Sequence, residues 1–352
     1  MIVFCLLVKE LNENPKFNLN TKYENKKLEK ESKEKFKLFQ NLINIYSNLY
    51  DYTRNGYTSP KFSNITDNHS QNQKKGTICI CSIGKNENLY AKEFVEYYLN
   101  LGVDKLFIYD NNDINGEKFE SVLIKYIKNK HVDIIDVRGL SSIQIPIYNY
   151  CYHKNKNFYD WIGFLDFDEY LYIDNNISIK NYLYNEIFNK CQVILFNWII
   201  YNDNDLLEYN NISLNMRFKR PTLNSTNAKS FARGNITNLL MPTTHFPGIN
   251  IFKYCNSKGE FIYPKNFIDY NFDKNPKAYI KHYFSKTVKE FCNKLYKGNA
   301  HFSKNNYKYN FIKKQKLELF FKLNKMTKEK INILEKCLNI KLNKYNFSLM
   351  ID

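Results

Sequence analysis

The chain has 352 residues, 43% of them hydrophobic and 16% aromatic, which excludes a disordered polymer lacking the apolar surface to offset chain entropy. The length suits one α/β domain of roughly 200–250 residues plus extensions. Lys and Arg number 52 against 35 Asp and Glu, a formal charge of +17. That excess favours polyanions such as nucleic acid, phosphate-bearing donors or anionic membranes, but Lys and Asn pervade even ordinary solvated faces, so it reads first as compositional bias.

In chain order, Met1–Val8 is apolar but too short to span a membrane, and it lacks the basic region and cleavage site of a secretory signal. It reads as an anchor remnant or a first strand or helix. Residues 1–75 form an extension: 25–50 is helical in character, with Leu28, Phe36, Phe39, Ile43, Tyr46 and Leu49 on one stripe, and 55–76 is a polar linker. The glycosylation-like triplets at Asn64 and Asn68 are discounted in so Asn-rich a chain. Eight scattered cysteines contain no pair of CxxC motifs, which argues against structural zinc and predicts buried free thiols.

From Thr77 strands and helices alternate: strands over 77–83, 104–109, 132–137, 161–165 and 193–198, with helices over 93–101, 119–129 and 144–155. This predicts an α/β domain over 76–303, with a mostly parallel sheet flanked by helices and its ligand edge at the strand C-termini. Residues 304–352 form a C-terminal segment with two Lys-rich amphipathic helices, 313–323 and 328–338. Their stripes read as packing surfaces, and their basic faces as solvated or, second, as a peripheral membrane contact.

The strongest chemical signal is Trp161-Ile-Gly-Phe-Leu-Asp166-Phe-Asp168-Glu169. An apolar strand ends in three carboxylates within four residues, and Asp166 and Asp168 share a side if the backbone is extended. Crowded carboxylates repel, and a divalent cation that relieves them can also hold a diphosphate. The first two strands end in Gly84-Lys-Asn86-Glu87 and Tyr109-Asp110-Asn-Asn-Asp113, completing a polar edge with room for a nucleotide: base and ribose near Asp110, diphosphate near the metal.

These residues carry a family resemblance. Ser82 to Glu87, Glu93 to Asp104, Tyr109 to Asp113, Gln144, Tyr148 to Cys151, Phe164 to Leu171, Trp198, Arg217-Phe218, Lys229-Ser230, His245 to Gly248, and His282 through Lys294 to Gly298 together resemble glycosyltransferase family 92 and related family 2-like transferases. The resemblance implies a GT-A fold and inverting transfer of a sugar, galactose from UDP-galactose being the family theme, to a glycan, glycoprotein or glycolipid hydroxyl. It implies Asn86, Glu87 and Asp110 on the nucleotide side and Asp166 and Asp168 as ligands of Mn²⁺ or Mg²⁺. His282 is the candidate third ligand, with His245 weighed against it, and Lys229, Arg233 and Lys286 are further phosphate partners. Inversion needs a general base; Asp203, Asp205 and Glu208, in the loop after the 193–198 strand, are the candidates. Met216 stands before Arg217 where relatives carry an acid, which marks the acceptor side as divergent.

Two other readings compete. A haloacid-dehalogenase-type phosphatase also uses an Asp pair, but it expects Thr or Val where Tyr170 stands and places the pair on the first strand. A nucleic-acid-binding module would rest on charge and abundant Tyr and Phe, yet no helix concentrates Arg, and no specific nucleic acid is expected. Location is open among cytoplasm, membrane surface and secretory pathway.

Overall fold

A computed structural model describes residues 76–339, apart from 141–142, 238, 249–251, 265–269, 272 and 297–306. The predicted helix over 25–50, the apolar opening and all but the last residue of the linker lie outside these. Strand β1 (Ile78–Gly84) is buried throughout, as its unbroken apolar run requires of a strand covered on both faces. Helix α1 (Asn88–Leu101) starts five residues before the predicted helix. It turns Tyr90, Ala91, Phe94, Val95 and Tyr98 inward and ends at Gly102, whose φ of 105° reverses the chain. β2 (Lys105–Asp110), α2 (Glu120–Lys128), β3 (Val132–Asp136), α3 (Gln144–Asn155) and β4 (Trp161–Phe164) follow the sequence pattern closely.

Then come β5 (Glu169–Ile173), the short α4 (Ile179–Leu183), β6 (Val193–Tyr201), α5 (Leu214–Arg217), β7 (Pro221–Arg233), β8 (Tyr254–Cys255), β9 (Phe261–Ile262) and β10 (Ala278–His282). The main sheet runs β3-β2-β1-β4-β7-β6-β10-β5. β3, β2, β1 and β4 are parallel; β7 lies antiparallel between β4 and β6; β10 is parallel to β6 and antiparallel to β5. The α/β expectation therefore holds. β1, β2, β4, β6 and β10 all end at one edge, and β7 enters the sheet from that edge. Its Ala228–Ala232 half is buried, while its polar Pro221–Asn227 half is at least partly exposed.

Helices α6 (Val288–Tyr296), α7 (Tyr307–Leu323) and α8 (Lys328–Leu338) share a second apolar cluster. Val288, Phe291, Cys292, Leu317, Phe320, Leu323 and Leu334 meet Ile200 and Phe284 there, with the Phe291 and Phe320 rings stacked 4.2 Å apart. The two C-terminal helices thus pack on the α/β body, as their stripes predict. Among the described residues no helix is long and apolar enough to cross a membrane.

The cysteines correct one expectation. Cys81 of β1 is disulfide-bonded to Cys151 of α3, and Cys191 to Cys255 at the start of β6 and in β8, with Cα separations of 6.3 and 5.8 Å. Cys79, Cys292 and Cys337 are free thiols. Alternation along β1 puts Cys79 and Cys81 on the same side, but only Cys81 meets a helix bearing a partner.

One pH effect follows from the packing. His153 on α3 is half-buried, and its Nε2 lies 2.9 Å from the Leu239 carbonyl. Burial, with Lys156 nearby, holds its pKa below the ordinary value. A depressed histidine contributes stability fully present above about pH 6.5 and lost as pH falls through its folded-state pKa, because the unfolded chain then binds the extra proton. His153→Gln is expected to flatten this limb, measured as the difference between wild-type and variant melting temperatures from pH 8 to pH 5.

Candidate active site

The paired acids sit in a turn rather than on extended backbone. The Glu169 N–H donates to the Asp166 carbonyl at 3.1 Å, and Glu169 Oε2 accepts from the Asp166 N–H at 3.0 Å. Phe167 between them is 2% exposed, stacked on Phe119 at 5.1 Å and packed on Phe94 at 4.8 Å. A Cβ at Gly84 would stand 2.6 Å from the Phe167 ring, so glycine there makes room for this anchor. With Phe167 driven inward, its flanking aspartates are left to the sheet edge.

Two elements bring cations to them, and a third brings neutral donors. Lys229, from β7, donates to Asp166 Oδ2 at 2.9 Å and lies 3.3 Å from Glu169 Oε2. Gln144 and Tyr148, one helical turn apart on α3, donate to Asp166 Oδ1 at 2.7 and 2.9 Å. Lys294, from α6, donates to Asp168 Oδ2 at 2.7 Å. The Tyr283 N–H donates to the Asp168 carbonyl at 2.9 Å, which holds the end of β10 here and sets His282 Nε2 3.7 Å from Asp168 Oδ2. The His282 ring packs on Trp198 of β6 at 4.3 Å.

The electrostatics follow from this crowding. Burial alone would raise Asp168, but Lys294 and His282 hold its carboxyl well below the usual range. Asp166 behaves likewise, with Lys229 outweighing burial and the neighbouring Asp168. Glu169 goes the other way. Burial, with Asp166 and Asp168 beside it, holds its carboxyl well above the ordinary value against the pull of Lys229. His282 is pushed down by burial, against the opposing pull of Asp168, so the imidazole is neutral at pH 7. Two carboxylates thus face two ammonium groups, a balanced set able to take a cation and an anionic ligand together.

The remaining predicted residues divide. Lys286 pairs with Glu87 at 3.1 Å and lies 3.5 Å over the Tyr90 ring; its charge reaches Asp168. Asn86 is exposed in the β1–α1 turn, its N–H donating to Asn112 Oδ1 at 2.6 Å. Asp110 is fully buried, and its oxygens accept from the Asn112 and Phe119 N–H groups at 3.0 and 3.2 Å. It shapes the loop after β2 through these two bonds. His245 is half-buried, with Nδ1 2.9 Å from the Ala228 carbonyl and its ring 5.2 Å from Trp198.

Four predicted residues are not brought to the acidic pair. Arg233 pairs in register with Trp161, at the opposite end of β4, and its guanidinium donates to the Cys191 and Phe188 carbonyls at 2.7 and 2.9 Å. Asp203 is buried 2.7 Å from Lys330 of α8. Asp205 pairs with Lys330 at 3.1 Å and Arg220 at 2.8 Å, and Glu208 with Lys289 at 2.5 Å. Antiparallel β7 runs Arg233 away from the edge, and the α8 lysine claims the two aspartates. Sequence reasoning assigned no role to Gln144, Tyr148, Glu169, Trp198 or Lys294. The i, i+4 spacing of Gln144 and Tyr148 and the place of Glu169 in the acidic cluster were the local signals.

The donor set suits a divalent cation in type. Asp166, Asp168 and a neutral His282 offer carboxylate oxygens and an imidazole, as Mn²⁺ or Mg²⁺ accepts, and His282 Nδ1 is buried with no hydrogen-bond partner among the described residues. Among the described residues no three His, Cys, Asp or Glu side chains form a preassembled cage; Lys229 and Lys294 hold the carboxylates as counter-ions.

The sequence profile described as glycosyltransferase family 92 matches residues 74–347. The chain belongs to glycosyltransferase family 92. A family 92 protein of Ricinus communis is 27% identical over 114 residues, covering 32% of this chain and 20% of that protein. One from Arabidopsis thaliana is 27% identical over 135 residues, covering 35% and 23%. This family 92 chain therefore spans about a fifth of the length of these relatives. The S. aureus TarS 1–349 structure in complex with UDP-GlcNAc aligns with a TM-score of 0.34 and 11% identity, over 75% of this chain and 81% of that one, a likeness too low to bear on function. The helix-flanked sheet agrees with the GT-A fold of the resemblance, and the match to residue 347 takes in α7 and α8.

Proposed function

We propose that this family 92 chain is a metal-dependent glycosyltransferase that moves a sugar from a nucleotide-diphosphate donor to a glycan, glycoprotein or glycolipid hydroxyl, with inversion. The observation that carries the reading is the convergence of Asp166, Asp168, His282, Lys229 and Lys294 at the C-terminal edge of the sheet, where α/β folds bind nucleotides. A bound divalent cation supplies charge neutralisation for the departing diphosphate. Asp166 and Asp168, with His282, hold it. Lys229 and Lys294, which pair with the two aspartates, would supply positive charge to the diphosphate oxygens, as would Lys286 beside Glu87. Asn86 and the Asp110-shaped loop frame the nucleotide side. Asp203 and Asp205 serve as anchors for α8, leaving proton abstraction from the acceptor to another group. UDP-galactose is the first donor to try, with other UDP-sugars beside it.

The test is a panel of nucleotide sugars with the full chain, following release of the nucleoside diphosphate with Mn²⁺, with Mg²⁺ and with excess chelator. Turnover of at least one donor, lost on chelation and restored by Mn²⁺, is expected. No release from any donor, with or without metal, overturns the reading.

A further inference from the structure

Helices α6 and α8 carry a third pair of sulfurs in one apolar cluster. Cys292 on α6 is 6% exposed, and Cys337, partly buried near the end of α8, belongs to the same apolar cluster. Burial pushes the Cys292 thiol up, and the Cys337 thiol beside it adds to the rise. Both are free, whereas the described cysteine pairs 81–151 and 191–255 are closed. Closed disulfides mark a chain that matures under oxidising conditions, and the same conditions act on any further thiol pair held in contact.

We propose that Cys292 and Cys337 are a redox pair that closes into a third disulfide, locking α8 onto α6. The more accessible Cys337 thiolate attacks one sulfur of an external disulfide, either glutathione disulfide or an oxidoreductase; that S–S bond breaks and one thiolate leaves. The Cys292 thiol then loses its proton and displaces the second external thiolate from the mixed disulfide. Two electrons and the two thiol protons pass to the oxidant, which ends as two thiols. The bond would fasten α8, and with it the Lys330 that holds Asp203 and Asp205, to the helix bearing Lys294.

The test uses the full chain equilibrated with glutathione disulfide, trapped with N-ethylmaleimide and mapped by mass spectrometry without reduction. A peptide pair linking 292 to 337 is expected beside the 81–151 and 191–255 pairs. Cys337→Ser should then melt roughly 5 °C below oxidised wild type, and together with wild type once both are fully reduced. Recovery of maleimide on both Cys292 and Cys337 while the other two pairs are linked overturns the proposal. So does linkage of either to a different cysteine.

Discussion

Asp168→Asn is expected to lower kcat/KM for sugar transfer by on the order of 10³-fold while leaving the protein folded, since it deletes charge and keeps volume. The carboxylate is the shared partner of Lys294 at 2.7 Å and His282 at 3.7 Å, and it is the buried member of the acidic pair. An amide cannot neutralise a cation, and it leaves Lys294 without its anion, so both the proposed metal and the ammonium lose their position at the diphosphate. Initial rates against donor concentration, beside a melting curve and nucleoside diphosphate binding with and without Mn²⁺, separate this loss from unfolding. Turnover within tenfold of wild type would remove Asp168 from the chemistry. Because Lys294 and His282 hold the Asp168 carboxyl far below its ordinary value, its contribution to stability is present above about pH 4. That contribution is lost only as pH falls further, through the folded-state pKa.

The largest stability effect belongs to Lys330→Met, which should cost about 3–5 kcal/mol, or roughly 10 °C in melting temperature. The Lys330 and Asp203 side chains are each 1% exposed, and the ammonium lies 2.7 Å from Asp203 and 3.1 Å from Asp205. It also donates to the Lys325 carbonyl at 2.8 Å. Removing it strands the Asp203 carboxylate in the interior, where no water can replace the lost partner. Pairing the change with Asp203→Asn should recover most of the loss, since a neutral amide requires no counter-charge. Asp203→Asn by itself also tests whether the residue abstracts the acceptor proton. Activity within a few-fold of wild type per folded molecule is expected of an anchor, and a loss of several orders of magnitude would restore it as the base.

The strands β1 to β4 and their helices were legible because each is a local pattern. An apolar run of four to seven residues or a three-and-four-residue stripe depends on nothing distant, and α3 and α8 match the predicted limits to the residue. β7 was not legible. Half of it, Pro221 to Asn227, is polar and partly exposed, and it belongs to the sheet only because β4 and β6 leave a gap between them. The general-base candidates follow the end of β6 in sequence, but sequence could not show that α8 would deliver a lysine to Asp203 and Asp205. Arg233 and Lys229 sit four residues apart on one strand and look equivalent as phosphate partners; the direction of β7 separates them along the sheet.

The sequence by itself determined the α/β alternation, the acidic cluster after Trp161–Phe164 and the family, because these reside in short-range pattern and ordered motifs. Tertiary structure alone decided which cation meets which carboxylate, which cysteines pair and which acids Lys330 reaches. Those outcomes depend on contacts between residues 60 to 130 positions apart, such as Lys229 with Asp166 and Lys294 with Asp168, and no local periodicity encodes them.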